Sequence, residues 1–192
     1  MTHVSIIGTG NMGQAIASVA TRGGHTVELI GEADTSTQVT GEIVVLAVPF
    51  PAIGDVLSAR GASLAGRTVV DITNPLDFTT FDSLTVPADS SAAAEIAGAL
   101  PDSRVLKAFN TTFAGTLASG AVGPLTTTVL IAGDDTDAKA DLAQIVTDGG
   151  LAAIDAGGLR RARELEAQGF LQITLAAAEK VAWTGGFGIV AA

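Results

Sequence analysis

The feature that most constrains this chain is the glycine-rich segment GTGNMG at residues 8–13, which follows an apolar run at residues 4–7 and opens an amphipathic stretch. In a strand–turn–helix unit, the first glycine permits a tight turn and the second lets the main chain approach a ligand. The third lets the helix pack closely on the strand. Phosphate groups bind at such helix starts because free N–H groups and the helix dipole face them. The sequence therefore predicts a dinucleotide-binding loop comprising Gly8, Thr9, Gly10, Asn11 and Met12.

Short apolar runs that are typical of buried strands alternate with helical patterns along most of the chain. The runs are bounded by Gly, Pro, Asn or Asp and comprise residues 4–7, 26–30, 43–48, 68–72, 104–109 and 127–132. Helices are expected over residues 11–22, from a cap at 90–91 to residue 100, and from 134–135 to 149–150. This alternation predicts an α/β fold with a parallel, doubly wound sheet.

Two stretches depart from this alternation and are expected to be loops. Residues 31–41 show no apolar periodicity and are too short for a normal crossover helix. Residues 73–89 contain two prolines and two phenylalanines but no helical pattern. Long loops that follow a sheet strand often carry binding residues, so we expect the second loop to border a ligand.

The chain after the last predicted strand is apolar enough to suggest a role in association. Residues 159–183 are expected to form one or two helices, with Gly169 as a break between them. Their apolar content exceeds what one surface helix needs, which favours a homodimer contact, although packing on the sheet explains it equally well. We therefore expect a dinucleotide-binding domain over residues 1–155 and a helical segment for dimerisation or substrate binding over residues 156–192.

Composition and charge exclude several classes of function. Twenty acidic residues against ten basic ones give a net charge of −10, which excludes an extended phosphate-binding surface for nucleic acid. The chain has no cysteine and no tyrosine, so thiol chemistry and tyrosine acid–base catalysis are excluded. Because the chain opens directly on its first strand and has no run of about 18 apolar residues, we expect a cytoplasmic protein without a membrane partner.

Few side chains remain that could carry out catalysis. His3 and His25 precede strands, at the wrong edge of the sheet, and are expected to be structural or solvated. Lys107 ends a strand near the expected crevice, and we expect its ammonium group to reach solvent. We therefore assign no catalytic residue and no metal ligand. Such a site suits hydride transfer between two organic cofactors, because that reaction depends mainly on positioning.

Three further segments follow strands at the edge where a doubly wound sheet binds its ligand. Taken singly, each also fits an ordinary turn, since Pro ends strands and Asn favours turns. Together, beside the glycine loop, they predict cofactor contacts at Ala47, Val48, Pro49, Asn74, Pro75, Ala108 and Asn110.

Six segments in order along the chain resemble the coenzyme F420-dependent NADP oxidoreductase family. They are GTGNMG (8–13), VVLAVP (44–49), VVDITNPL (69–76), SAAAEIAGALP (91–101), VLKAFNTT (105–112) and DAGGLRRARELE (155–166). The resemblance implies a Rossmann-like doubly wound sheet with a small helical C-terminal portion, a homodimer, and hydride transfer between a nicotinamide and a deazaflavin or flavin-like ring. It also implies positions for the cofactor: residues 9–12 on the pyrophosphate, 48–49 along the nicotinamide ribose, 74, 75 and 108 beside the nicotinamide, and 109–111 toward the second ring.

The segment after the second strand differs from that family, which usually places a basic pair there for the 2′-phosphate of NADP(H). Here Gly31 and Glu32 occupy this place, and a carboxylate favours NAD(H) because it repels a phosphate. The hydroxyls and main-chain N–H groups of Thr35 and Ser36 offer a phosphate site without a cation. We therefore expect NADP(H) to bind with less than about tenfold preference over NAD(H).

The residues alone leave the acceptor open. A different small acceptor, such as an imine or a ferric chelate, is one alternative to the deazaflavin. A non-catalytic, dinucleotide-binding redox sensor is another, because the scarcity of proton-transfer groups fits it equally well.

Overall fold

The computed structural model describes residues 1–34 and 37–190. Its strands are β1 (His3–Ile7), β2 (Thr26–Ile30), β3 (Ile43–Leu46), β4 (Thr68–Asp71), β5 (Arg104–Lys107), β6 (Ala121–Val122), β7 (Leu125–Thr126), β8 (Thr128–Gly133) and β9 (Ala152–Gly157). Its helices are α1 (Asn11–Arg22), α2 (Ile53–Leu64), α3 (Ala92–Ala99), α4 (Ala114–Ser119), α5 (Thr136–Asp148) and α6 (Ala162–Ala177). Short 3₁₀ turns at Phe50–Ala52 and Leu159–Arg161 lead into α2 and α6.

Seven strands form one sheet in the order β2-β1-β3-β4-β5-β8-β9. Strands β1 to β5 are parallel, which confirms the predicted Rossmann-like sheet. The predicted direction of the sixth run was wrong, because β8 is antiparallel to β5 and β9 pairs in parallel with β8. Between β5 and β8 the chain has only the six-residue helix α4 and the small β6–β7 hairpin. A parallel return would need a full crossover helix at this point.

Both faces of the sheet are covered, as β3 illustrates. Ile43 and Val45 belong to the apolar cluster that includes residues of α1 and α5. Val44 and Leu46 belong to the cluster on the other face, which includes residues of α2 and α3. Because successive side chains of a strand point to opposite faces, a strand that is covered on both faces is apolar at every position. The continuous apolar run therefore predicted this strand correctly.

The capping signals predicted three helices correctly. The Ser91 hydroxyl accepts a hydrogen bond from the N–H of Ala94 at 3.1 Å, at the start of α3. The Asp135 carboxylate accepts one from the N–H of Ala138 at 2.8 Å, at the start of α5. Helix α1 ends at Gly23 as expected. In the described part of the chain, no helix has the length and apolar content to cross a bilayer.

The prediction of a helix break at Gly169 was wrong. Helix α6 runs without interruption from Ala162 to Ala177, and the chain beyond it to residue 183 is irregular. The glycine is needed for packing instead, because a Cβ there would overlap the side-chain amide of Asn74 and lie 2.9 Å from the main-chain oxygen of Asn110. Helix α6 therefore approaches these two residues as closely as a helix can.

Candidate functional site

A cleft of about 580 Å³ opens at the carboxyl ends of β1 and β3. The chain leaves β1 toward β2 on one side, whereas β3 lies on the other side of β1, so this is the point where strand order reverses and α/β folds bind their ligands. Half of the predicted cofactor residues line it, namely Gly8, Thr9, Gly10, Gly31, Glu32, Ala47, Val48 and Pro49. The remaining wall comes from Ile7, Ile30 and one face of α2 with its preceding turn.

The three glycines of the loop differ in whether the fold requires glycine at their position. Gly8 has a φ of +117°, and a Cβ there would overlap the carbonyl group of Ala47. A Cβ on Gly13 would overlap the carbonyl of Gly8, so the helix lies directly against the turn. A Cβ on Gly10 would meet no atom within 4 Å, and its φ of −71° is open to any residue. The space beside Gly10 is therefore open, and the fold itself does not require glycine at this position.

The start of α1 provides donors for an anion in this cleft. Gly10 is the N-cap and supplies no side-chain acceptor, so the N–H groups of the first turn have no capping partner. Asn11 is exposed at this helix start, whereas Met12 is half-buried and packs against the core. Free N–H groups and the positive end of the helix dipole fit a pyrophosphate.

A second group of predicted residues lies at the carboxyl ends of β4 and β5. The Asn74 Nδ2 donates to the main-chain oxygen of Asn110 at 3.0 Å. The Asn110 Nδ2 donates to Asn74 Oδ1 at 2.9 Å and to the Leu165 carbonyl of α6 at 2.8 Å. Pro75 is buried, and Ala108 is fully buried in the core. These contacts join both strand ends to the C-terminal helix.

Two oxygens in this region are buried without a hydrogen-bond partner among the described residues: Thr73 Oγ1 and Asn110 Oδ1. Rotating the Asn110 amide by half a turn would not help, because its oxygen would then face the oxygens of Asn74 and Leu165. An unpaired buried acceptor is costly, so these two oxygens lower the stability of this corner.

The expectation that Lys107 reaches solvent was wrong. Its side chain is fully buried, and Nζ lies 2.8 Å from Asp71 Oδ2, 2.9 Å from Glu166 Oε1 and 2.5 Å from the Thr73 carbonyl oxygen. Asp71 is the register partner of Lys107 on β4, and Glu166 comes from α6. Lys107 therefore fixes the start of the loop at residues 73–89, and its ammonium group cannot reach a substrate.

Glu166 also closes the first turn of α3. Its two carboxylate oxygens accept hydrogen bonds from the N–H groups of Ala92 at 3.0 Å and Ala93 at 3.3 Å. Burial raises the pKa of Glu166 above its ordinary value of 4.5, although Lys107 opposes that shift. Glu166 of α6 thus connects α3 with Lys107 of β5, which in turn pairs with Asp71 of β4.

The main chain is strained where β5 enters the site. Phe109 has a φ of +64° and its side chain is fully buried. A left-handed conformation costs a non-glycine residue about 1–2 kcal/mol, so the surrounding packing must hold it. With this conformation at Phe109, β5 ends at Lys107, two residues before the predicted end, and Asn110 faces Asn74.

Other sequence predictions fall outside the cleft. Thr35 and Ser36 lie outside the described residues. His25 is structural as expected, with Nε2 at 3.2 Å from Asp148 Oδ2 at the opposite edge of the sheet.

Arg60, which was not among the predicted site residues, lines the cleft. The sequence does contain a signal for Arg60. Residues 52, 55, 56, 59 and 60 have the spacing of one helical face, and this face begins just after Pro49.

Comparisons with known proteins indicate one family. A family model described as "NADP oxidoreductase coenzyme F420-dependent" matches residues 27–75. The F420-dependent NADP reductase of Methanocaldococcus jannaschii is 30% identical over 150 residues, which cover 75% of this chain and 66% of that protein. The enzyme of the same name from Methanothermobacter marburgensis is 32% identical over 160 residues, which cover 80% of this chain and 70% of that protein.

A solved structure extends the likeness to the whole fold. It is a protein from Arthrobacter sp. FB24 whose name proposes the same activity, with a TM-score of 0.84 and 25% identity. The superposition covers 100% of both chains, so the match includes the residues that form the C-terminal helix and the antiparallel edge of this sheet. The sequence relatives and this solved structure indicate the same family. The chain therefore belongs to the family of F420-dependent NADP reductases.

Proposed function

We propose that this protein is an oxidoreductase that transfers a hydride between NADP(H) and a deazaflavin of the coenzyme F420 type. The observation that carries the proposal is the cleft at the strand-order reversal, with an uncapped helix start beside the open space at Gly10. It occurs in a chain whose relatives are named for this activity.

The chain's own residues would bind and orient the cofactor without exchanging protons with it. The first turn of α1 holds the pyrophosphate through main-chain N–H groups, and Val48 and Pro49 border the nicotinamide ribose. Gly31 and Glu32 lie at the adenosine end. A reduced nicotinamide supplies the hydride when bound.

The paired amides form the other wall of the reaction site in this proposal. Asn74 and Asn110 fix each other's orientation through reciprocal amide hydrogen bonds, so the wall that they form is rigid. Pro75 and Ala108 support this wall from the core side. Because Lys107 is sealed beneath it, the Lys107 ammonium group could not reach a ring held against this wall, which suits transfer of hydride alone.

We further propose that the C-terminal segment from residue 156 closes the substrate side and forms a homodimer contact, in a protein that works in the cytoplasm. Leu171 on α6 is 51% exposed, and Trp183 is 54% exposed although its ring packs at a tilt against Phe113, with 4.9 Å between the ring centroids. Exposed apolar side chains mark an interaction site where they form one patch, and in this proposal Leu171 and Trp183 belong to such a patch.

The test is a reduction assay with a panel of acceptors. Purified protein is mixed with NADPH and coenzyme F420, FMN, FAD, a ferric chelate or a cyclic imine, and the nicotinamide and acceptor absorbances are followed together. We expect oxidation of NADPH matched by reduction of F420. If NADPH were oxidised only with one of the other acceptors, that acceptor would replace the deazaflavin in the proposal. If NADPH bound but no acceptor oxidised it, the result would instead support a redox sensor.

A further inference from the structure

One face of α2 and the turn before it form a wall of the cleft, and Arg60 is the cation on that wall. The lining residues Ala52, Asp55, Val56, Ala59 and Arg60 follow the spacing that puts side chains on a single helical face. This wall begins beside Pro49. Arg60 lies two turns further on, facing the segment that follows β2.

The Arg60 guanidinium is held over that segment by main-chain carbonyls. Nη1 donates to the Thr37 oxygen at 2.6 Å, and Nη2 donates to the Asp34 oxygen at 2.5 Å. Among residues 1–34 and 37–190, no carboxylate forms an ion pair with it. Carbonyl oxygens orient the group without neutralising it, and its other N–H groups remain free to bind an anion.

The position of Arg60 identifies the anion it would meet. The pyrophosphate fits the helix start at Gly10, whereas Arg60 lies with Gly31 and Glu32 at the end of β2. In this kind of fold the adenosine ribose lies there. Asp34 is turned away from this role, because its carboxylate accepts the N–H of Gly31 at 2.8 Å. Glu32 and Asp55 line the same cleft, and their carboxylates weaken the attraction for an anion.

Building on the proposed function, we infer that Arg60 binds the 2′-phosphate of NADP(H). The cation comes from α2, across the cleft, and replaces the basic pair that is missing after β2. This changes the expectation from the sequence, since a charged donor now faces the 2′-position. We expect NADPH to bind at least about tenfold more tightly than NADH.

The test measures binding of NADPH, NADH, 2′-AMP and 5′-AMP by titration calorimetry to the parent protein and to Arg60→Gln and Arg60→Lys. Glutamine removes the charge but keeps an amide donor for the loop. Arg67→Gln is the matched control, because Arg67 also donates to main-chain oxygens of the β2–β3 loop, those of Thr40 and Gly41, but does not line the cleft.

We expect Arg60→Gln to weaken NADPH and 2′-AMP at least about tenfold while NADH and 5′-AMP change less than about twofold. Arg60→Lys should retain part of the preference, and Arg67→Gln should retain all of it. Equal losses for phosphorylated and unphosphorylated ligands would overturn the inference and assign Arg60 to the adenine or to loop structure. Unchanged binding in Arg60→Gln would also overturn it. Failure of the parent to bind either dinucleotide would instead overturn the proposed function.

Discussion

The ammonium group of Lys107 and the carboxylate of Asp71 lie 2.8 Å apart, and both side chains are completely buried. They occupy register-matched positions on adjacent strands, directly beneath the loop that begins at Thr73. A buried pair of this kind fixes geometry, because either partner alone would be an uncompensated charge away from solvent.

Replacement of Lys107 by Met should lower the free energy of unfolding by about 3–5 kcal/mol, because it leaves two buried carboxylates unpaired. Urea denaturation followed by circular dichroism would measure the loss. Lys139→Met is the matched control: it removes a lysine that pairs with the 56%-exposed Asp155 at 2.8 Å, and should cost less than about 1 kcal/mol. Similar losses for both variants would contradict the role assigned to Lys107.

The stability of the protein should depend on the protonation of Glu166. Its folded-state pKa is raised by burial, so its contribution to stability is fully present below the ordinary value of 4.5 and is lost as pH rises through the raised value. Glu166→Gln removes this dependence. The unfolding free energy of the parent minus that of the variant should therefore fall as pH rises from about 4.5. A difference that is constant with pH would show that Glu166 titrates normally.

Substitution of Gly169 by Ala should slow hydride transfer more than it weakens cofactor binding. The added methyl group would displace Asn74, and small misplacements at a reacting centre cost one to two orders of magnitude. We expect kcat to fall at least about tenfold while the Kd for NADPH changes less than about twofold.

The matched control for this variant is Gly98→Ala. Gly98 lies on the exposed face of α3, where a Cβ would meet nothing within 4 Å, so the change should raise stability slightly and leave kcat unchanged. If Gly169→Ala kept the kcat of the parent, the amide pair would have no part in orienting the ring.

The glycines of the loop should separate binding from folding. Gly10→Val is expected to fold, since its φ is unstrained, but to lose dinucleotide binding because the side chain fills the space for the pyrophosphate. Gly8→Ala is expected to lose stability, because φ is +117° and the methyl group overlaps Ala47. Fluorescence titration and thermal unfolding distinguish the two. Affinity of Gly10→Val within roughly twofold of the parent would remove this loop from the site.

Sedimentation velocity at micromolar concentration should show a dimer. Leu171→Asp places a charge on the exposed face of α6 and should shift the protein to the monomer without changing its circular dichroism spectrum. A monomeric parent protein would contradict the proposed dimer, and a Leu171→Asp variant that remained dimeric would place the contact elsewhere.

Local signals predicted much of this fold correctly. Ser91, Asp135 and Gly23 each act within a few residues of their own position, so helix ends could be read from the sequence. The glycine loop was equally local, because each of its roles depends on the strand before it and the helix after it. The strand β9 was not predicted, because its residues are half-buried or exposed and have no clear apolar run.

The missed site features all depend on contacts between distant segments. The burial of Lys107 required knowing that β4 and β5 end in register and that α6 brings Glu166 over both. Arg60 reaches its place only because a helix after β3 faces the segment after β2. Gly169 was misread for the same reason, since a glycine that admits a neighbouring side chain looks like a helix breaker in sequence.

The buried carboxylate of Glu166 limits how freely the C-terminal helix can be exchanged between relatives. A chimera that keeps residues 1–155 and takes its last helix from another reductase would leave the N–H groups of Ala92 and Ala93 without acceptors unless the incoming helix carries an acid at the same position. The last helix of this architecture is therefore not modular: a transplanted helix must bring its own counter-charge for Lys107.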